Sequence, residues 1–421
     1  MRINAGSSFT AALVACLLYS ILFLCSDSFA QRKLGLKAGL EVGGKYEWNP
    51  SLLSDKEQES SELARESYVT HLIAVLSGRY SVDYGEFRLN YKPSFDFYRA
   101  QGISRRAANS HVGQFWGRLN FTDSLSLTVD DRFTDSVVGS LRMSDDSNLG
   151  RRYTGNICTA RIQYSPGTRV VLSISHRTSG LWNRGEDDKQ LDRDSNFALA
   201  SAGYRLGSRT EVGVLGDWGL ISGKAPGALD DRYEYSGSIY LSRYFAGMDV
   251  KVRANGGFVS TRYRSRGAEK APERRTGFSG SFSASKRLSE GSYAHIILRT
   301  GYEPSDVWAG EFRRSSSVRG SFQHTFLKRI ETILNGEYQH RKYVPTNDRK
   351  DHVYRTSTIL GYKLFRWLSI RANYTFACVD STFEEYEYDS HAVGVSFYAE
   401  YGSQGDDVAD YPLELQEEVG L

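Results

Sequence analysis

Residues 354–401 read YRTSTILGYKLFRWLSIRANYTFACVDSTFEEYEYDSHAVGVSFYAEY, and the period of this stretch decides the fold. Tyr354, Thr356, Thr358, Leu360 and Tyr362 fall on one side of a two-residue repeat, with Arg355, Ser357 and Lys363 on the other. After a short break at 365–367, Leu368, Ile370, Ala372, Tyr374 and Phe376 alternate with Ser369, Arg371, Asn373 and Thr375. Successive strand side chains point to opposite faces, so each segment is a strand with one apolar and one polar wall. A helix repeats every 3.6 residues and does not show this alternation. What remains to decide is whether the apolar walls face a protein core or lipid.

The N-terminus bears on that question. Residues 1–30 combine a basic start (Arg2), an apolar run over 11–24 and the exit Ser28-Phe29-Ala30, the pattern of a secretory signal peptide cleaved before Gln31. The run is shorter than the ~20 residues a spanning helix needs. Leu24 is too bulky for the position before a lipid-modified Cys25. Beyond residue 30 no apolar run reaches spanning length and mean hydropathy is −0.46, which excludes a helical membrane protein. The exported chain would keep two cysteines, Cys158 and Cys378, so it does not rest on a disulfide framework; both are expected as small hydrophobes on apolar strand faces. Eight prolines in 421 residues suit long uninterrupted ladders, and 27 tyrosines suit a surface that is apolar along the ring and wet at its tip.

The alternation recurs along the whole chain. It starts with Leu34, Leu36, Ala38, Leu40, Val42 and Tyr46 against Lys37, Glu41 and Lys45. Strand pairs meet at short turns centred near 83, 123, 166, 207, 246, 290, 328 and 366, and longer charged connections such as 49–66, 136–151 and 178–194 separate the pairs. Eight turns join sixteen strands, and an opening strand at 34–46 and a closing one at 388–401 make eighteen. Residues 153–164 and 195–206 alternate weakly, and without them the count is sixteen. Soluble sandwich strands average ~5–6 residues, whereas these segments run to about 10–14, and the recurring blade motifs of a propeller are absent. The expected fold is all-β: a transmembrane antiparallel up-and-down β-barrel of about 18 strands, with short turns at one end and long loops at the other. The expected layout is a signal peptide at 1–30, a barrel at 31–401 and an acidic tail at 402–421, with both chain ends in the periplasm. With the tail's six negative charges set aside and residues 1–30 contributing none, the chain's +3 becomes +9 on the barrel.

If the apolar residues face lipid, the alternate ones line the lumen. The pore-lining candidates are Arg88, Arg118, Arg132, Arg161, Arg253, Arg319, Arg355 and Arg371, with Lys37, Lys45, Lys92, Arg205 and Lys363 on the same wall. Acidic candidates are fewer: Glu41, Glu86, Asp96, Asp130, Glu331 and Glu337. Rings of Arg or Lys favour anions, while pairing across strands would make the same charges a structural filling of a wet lumen. Asp389-Ser390-His391 places three hydrolase residue types together, but neighbours in a strand point to opposite faces, so Ser390 and His391 cannot pair. The eight histidines are scattered without metal-ligand spacing. Neither an enzyme nor a cofactor is expected, and nucleic acid is not an expected partner because the basic residues form no exposed patch.

The opening stretch also resembles the β-barrel porin-2 family of Gram-negative outer-membrane proteins. Gly361-Tyr362-Lys363-Leu364, the turn into Trp367-Leu368-Ser369, Asn373-Tyr374, Asp380-Ser381 and residues 386–389 carry the resemblance over about fifty residues. It implies a porin-like outer-membrane channel, and some similar proteins accompany exopolysaccharide or capsule synthesis and export. Implied partners are outer-membrane lipid, the barrel assembly machinery and a polysaccharide export apparatus. Phe397 and Tyr401 would supply the terminal aromatic read during assembly, although twenty residues follow, a departure from the usual ending. The functional expectation is passive passage of an anionic exopolysaccharide or of small anionic solutes. The other reading is a surface-binding or structural barrel with a blocked lumen.

Overall fold

The computed structural model describes residues 33–48, 66–99, 106–137, 152–183, 192–223, 231–264, 274–304, 312–344 and 349–402. The expected signal peptide at 1–30, the acidic stretch beyond Gly402 and most of the long connections lie outside the described residues. Among the described residues eighteen strands follow one another. The first six are β1 (Lys33–Trp48), β2 (Glu66–Val82), β3 (Gly85–Arg99), β4 (Arg106–Asn120), β5 (Leu125–Val137) and β6 (Arg152–Tyr164). Next come β7 (Val170–Asn183), β8 (Arg193–Gly207), β9 (Thr210–Gly223), β10 (Asp231–Phe245), β11 (Val250–Arg264) and β12 (Arg274–Ser289). The last are β13 (Ser292–Pro304), β14 (Phe312–Phe326), β15 (Ile330–Val344), β16 (Lys350–Lys363), β17 (Leu368–Ser381) and β18 (Tyr388–Gly402).

Each strand pairs antiparallel with its sequence neighbours, and β1 pairs with β18 from Lys37↔Gly402 to Trp48↔His391. The sheet is therefore a closed barrel without edges, the one arrangement in which strands can satisfy every ladder group in hydrocarbon. The two weakly alternating segments are full strands, β6 and β8, so the count is eighteen. The first strand begins and the last one ends beside the short turns, with Lys33 opposite Ser81 and Gly402 opposite Lys37.

Register assigns the walls. On β1, Leu34, Leu36, Leu40 and Val42 are exposed outward, while Lys37, Glu41 and Lys45 point inward. The same parity runs around the barrel: Ile174 and Ile239 on the outside are each 69% exposed, and Phe258 is 65% exposed. Large apolar side chains left that open in a closed barrel mark a lipid-facing surface. Aromatics such as Tyr164, Tyr204, Phe326 and the stacked pair Phe365–Trp367 ring the turn end, and Tyr68, Phe97, Tyr235 and Tyr354 lie toward the loop end. Cys158 and Cys378 are free thiols, and both sit on outward positions.

Two local features depart from the ideal. Asp131 lies on the outward wall of β5, opposite Cys158, and accepts a hydrogen bond from Asn156 Nδ2 at 2.9 Å. This neighbour supplies a polar partner where lipid offers none. The β14–β15 hairpin turns through Leu327 (φ 49°) and Lys328 (φ 58°), two left-handed residues in a position that favours Asn-Gly. A left-handed residue with a Cβ costs ~1–2 kcal/mol. Replacing Leu327-Lys328 by Asn-Gly is therefore expected to stabilise the barrel by about 1–2 kcal/mol, read as a higher urea midpoint in reconstituted vesicles.

Candidate functional site

All eight arginines expected to line the pore have inward register: Arg88 opposite Trp116, Arg118 opposite Glu86, Arg132 opposite Gln114, Arg161 opposite Ser175, Arg253 opposite Ser242, Arg319 opposite Glu337 and Arg355 opposite Ala377, with Arg371 opposite Ser396. The structure then separates them by how each guanidinium is held.

One group is carboxylate-bridged. Glu86 lies 2.6 Å from Arg88 and 2.9 Å from Arg79. Glu337 lies 3.1 Å from Arg319 and 3.5 Å from Arg355. Each of these carboxylates holds two guanidinium groups, so each triplet keeps one positive charge. Glu41 meets Arg371 at 3.8 Å and His71 at 3.5 Å, and Arg132 approaches Asp130 at 3.5 Å. This answers the arrangement expected of a wet lumen filled by cross-strand pairs, yet with cations in excess.

A second group rests on aromatic rings. The Arg177 guanidinium sits 4.8 Å above the Phe197 ring, and that ring lies flat on Gly219, where a Cβ would come within 2.2 Å of it. Arg253 lies 5.5 Å over Tyr240, whose ring covers Gly213 and whose hydroxyl donates to Glu211 at 2.8 Å. Arg371 lies 4.0 Å over Tyr398, and Arg88 lies 5.1 Å over Trp116. Stacking orients the guanidinium for about 0.5–2 kcal/mol without neutralising its charge. Arg161 on β6 is the inward diagonal neighbour of Arg177 on β7, since the register sets Thr159 opposite Arg177 and Arg161 opposite Ser175. Among the described residues, no carboxylate forms an ion pair with Arg118, Arg161, Arg177 or Arg253. Arg161 and Arg177 on β6–β7 and Arg253 on β11 thus form a cationic shelf on either side of Phe197 and Tyr240, with Arg177 and Arg253 resting on those rings.

The part of the wall next to Arg253 is hydroxylic, with Ser283 of β12 directly opposite it in the ladder. Ser279, Ser281, Ser283 and Ser285 all point inward from β12, and Ser281 is tied to Asn255 at 2.9 Å. At the loop end the inward face is closely filled. Arg349 makes a two-point pair with Asp351 (2.9 and 2.7 Å), Ser381 donates to Asp351 at 2.8 Å, and the guanidinium is stacked 3.4 Å from the Tyr386 ring. Asp351 is fully buried, as are Val353 and Val379 beside it. Tyr386 belongs to the 3-10 turn Glu384–Tyr386, so this cluster pins the β17–β18 connection to the inner wall.

Sequence parity found the arginines but not their supports. Phe197, Leu199 and Tyr240 point inward and are buried, although apolar strand residues were expected outside. Arg177 was missed with them. The available signal was an inward aromatic diagonal to an inward arginine, with glycine on the next strand. The hydrolase-like trio is divided as strand geometry requires: Ser390 points inward and donates to the Trp48 carbonyl at 3.0 Å, while Asp389 and His391 are together outside at 3.3 Å.

A direct consequence concerns Gly219. Gly219→Ala drives a methyl into the Phe197 ring, an overpacking of about 1–3 kcal/mol. The expected result is a lower urea midpoint together with a smaller conductance, because the ring and Arg177 must move toward the lumen.

Residues 313–401 match the model of the family described as "Putative beta-barrel porin 2". Among solved structures, a BenF-like porin from Pseudomonas fluorescens Pf-5 aligns with TM-score 0.45 and 12% identity, covering 87% of this chain and 99% of its own. OpdK from Pseudomonas aeruginosa, solved with vanillate, aligns with TM-score 0.43 and 14% identity over 87% and 99% of the two chains. OccAB3 from Acinetobacter baumannii aligns with TM-score 0.43 and 10% identity over 88% and 100%. A search of curated protein sequences finds no match.

Proposed function

We propose that this outer-membrane porin-like barrel is a passive channel with a preference for anions, and that its cargo is an acidic saccharide, either a secreted chain or a small sugar acid. The observation that carries the reading is the shelf of Arg161, Arg177 and Arg253, in which Arg177 and Arg253 are held by aromatic stacking and, among the described residues, none of the three is in ion-pair contact with a carboxylate. Cations so held remain available to a passing carboxylate, and the serine ladder of β12 offers hydroxyl partners to the rest of a sugar. An 18-stranded barrel is wide enough for an aqueous path. In this reading the short turns, the start of β1 and the end of β18 lie in the periplasm, the long connections face outward, and the assembly machinery reads Phe397 and Tyr401.

The filled inner wall around Asp351 favours a second reading, a barrel closed at its loop end that serves as a surface scaffold. Liposome swelling separates the two. Vesicles carrying the protein should swell in a uronic-acid oligosaccharide faster than in a neutral one of equal length. Equal rates would remove the anion preference, and no swelling in either would favour the closed scaffold.

A further inference from the structure

The outer wall over β14–β16 carries a graded series of side chains that ends in unpaired cations. Val318, Leu334 and Leu360 are exposed in the apolar band. Above them Tyr338 and Tyr354 are opposite one another across the strands, with ring centroids 5.2 Å apart, and the Tyr338 hydroxyl is 2.9 Å from His352 Nδ1. One step nearer the loops the rings of His340 and His352 stand 4.7 Å apart. The next outward row is Arg314, Lys342 and Lys350, each opposite the next in the ladder and each exposed.

Like charges directly opposed on adjacent strands destabilise a sheet unless a counter-charge sits among them. Among the described residues none of the three is in an ion pair. Asp351, the acid nearest in sequence, points to the other side of the wall and is committed to Arg349. On the same side of the barrel, Arg262 and Arg274 are opposed at the loop end of β11 and β12. Tyrosines mark the boundary between hydrocarbon and headgroups, so a cationic row just beyond them stands at headgroup height, within reach of lipid phosphate and not of the aqueous lumen.

We infer that Arg314, Lys342 and Lys350 bind the phosphate groups of an anionic membrane lipid in the leaflet at the loop end. Phosphate oxygens bridge adjacent guanidinium and ammonium groups well, and each cation near an anionic surface adds to the binding. The inference needs only the barrel's orientation in the membrane and does not depend on what crosses the lumen.

The test uses the full chain in detergent and native mass spectrometry with three probes: a bis-phosphorylated disaccharide glycolipid, the same glycolipid dephosphorylated, and inorganic phosphate. Wild type should retain the phosphorylated glycolipid, and the triple variant R314S/K342S/K350S should lose affinity on the order of a hundredfold. The dephosphorylated lipid should bind no better to wild type than to the variant. Heat-modifiable migration checks that the variant is folded, and Lys342→Gln alone, with a smaller loss, serves if the triple variant is not. Equal retention by wild type and variant, or equal binding of the dephosphorylated lipid, overturns the inference. Inorganic phosphate displacing the glycolipid at equal concentration would overturn the lipid source and leave a site for free phosphate.

Discussion

Replacing Arg161, Arg177 and Arg253 together by serine is expected to reduce the anion-to-cation permeability ratio more than tenfold at low salt. An anion about 6 Å from a guanidinium gains about 0.7 kcal/mol per charge in water, and more where the wall excludes water. Three such terms amount to about 2 kcal/mol, and each 1.4 kcal/mol is a factor of ten. Salt screens these interactions, so the change should shrink as ionic strength rises. The triple variant R314S/K342S/K350S removes as many charges from the outside of the wall and should leave the ratio close to that of wild type. Reversal potentials under a salt gradient measure both. An unchanged ratio in the inward variant would show that the shelf does not face the permeating ion.

The second large effect is on folding. Asp351→Ala removes the carboxylate that holds Arg349 while leaving that guanidinium buried, with Arg349 7% exposed and Asp351 0%. Breaking one side of a buried pair costs about 3–5 kcal/mol. The expected result is a loss of that size in urea unfolding from vesicles, accompanied by faster proteolysis at the β17–β18 connection as Tyr386 loses its stacked partner. Asp351→Asn keeps an acceptor for Ser381 and should fall between. A loss under about 1 kcal/mol for the alanine variant would mean that the cluster does not pin the connection.

The strand count and the walls were legible because both follow from period two. The eight short turns stand where the breaks in alternation place them, and the closing strand pairs with the opening one as an edgeless barrel demands. The two weak strands read poorly for an identifiable reason. On β6 the outward wall carries Asn156 and Cys158 while Ile157 faces inward; on β8 the outward positions are Ala198, Ala200 and Ala202 while Phe197 and Leu199 face inward. On β6 the polarity of the walls is locally exchanged at 156–157, and on β8 apolar residues stand on both walls, Phe197 among them beneath Arg177.

Partnership was not legible. Parity puts Arg88 inside, but that Glu86 also holds Arg79 depends on the register that sets Arg79 opposite Arg88. The partners are three-dimensional: Arg371 meets Glu41, 330 residues away in the chain, only because β18 closes against β1, and it stacks on Tyr398 of the next strand. The glycine floor is similarly invisible, since Gly219 has meaning only beneath Phe197.

The central claim is that the barrel is an open, anion-preferring channel. Single-channel recording of the folded full chain in planar bilayers tests it most directly. The account predicts stable ohmic steps and, under a potassium chloride gradient, a reversal potential of the sign set by chloride. Correctly folded protein that gives no steps, or whose reversal potential has the sign set by potassium, would contradict it.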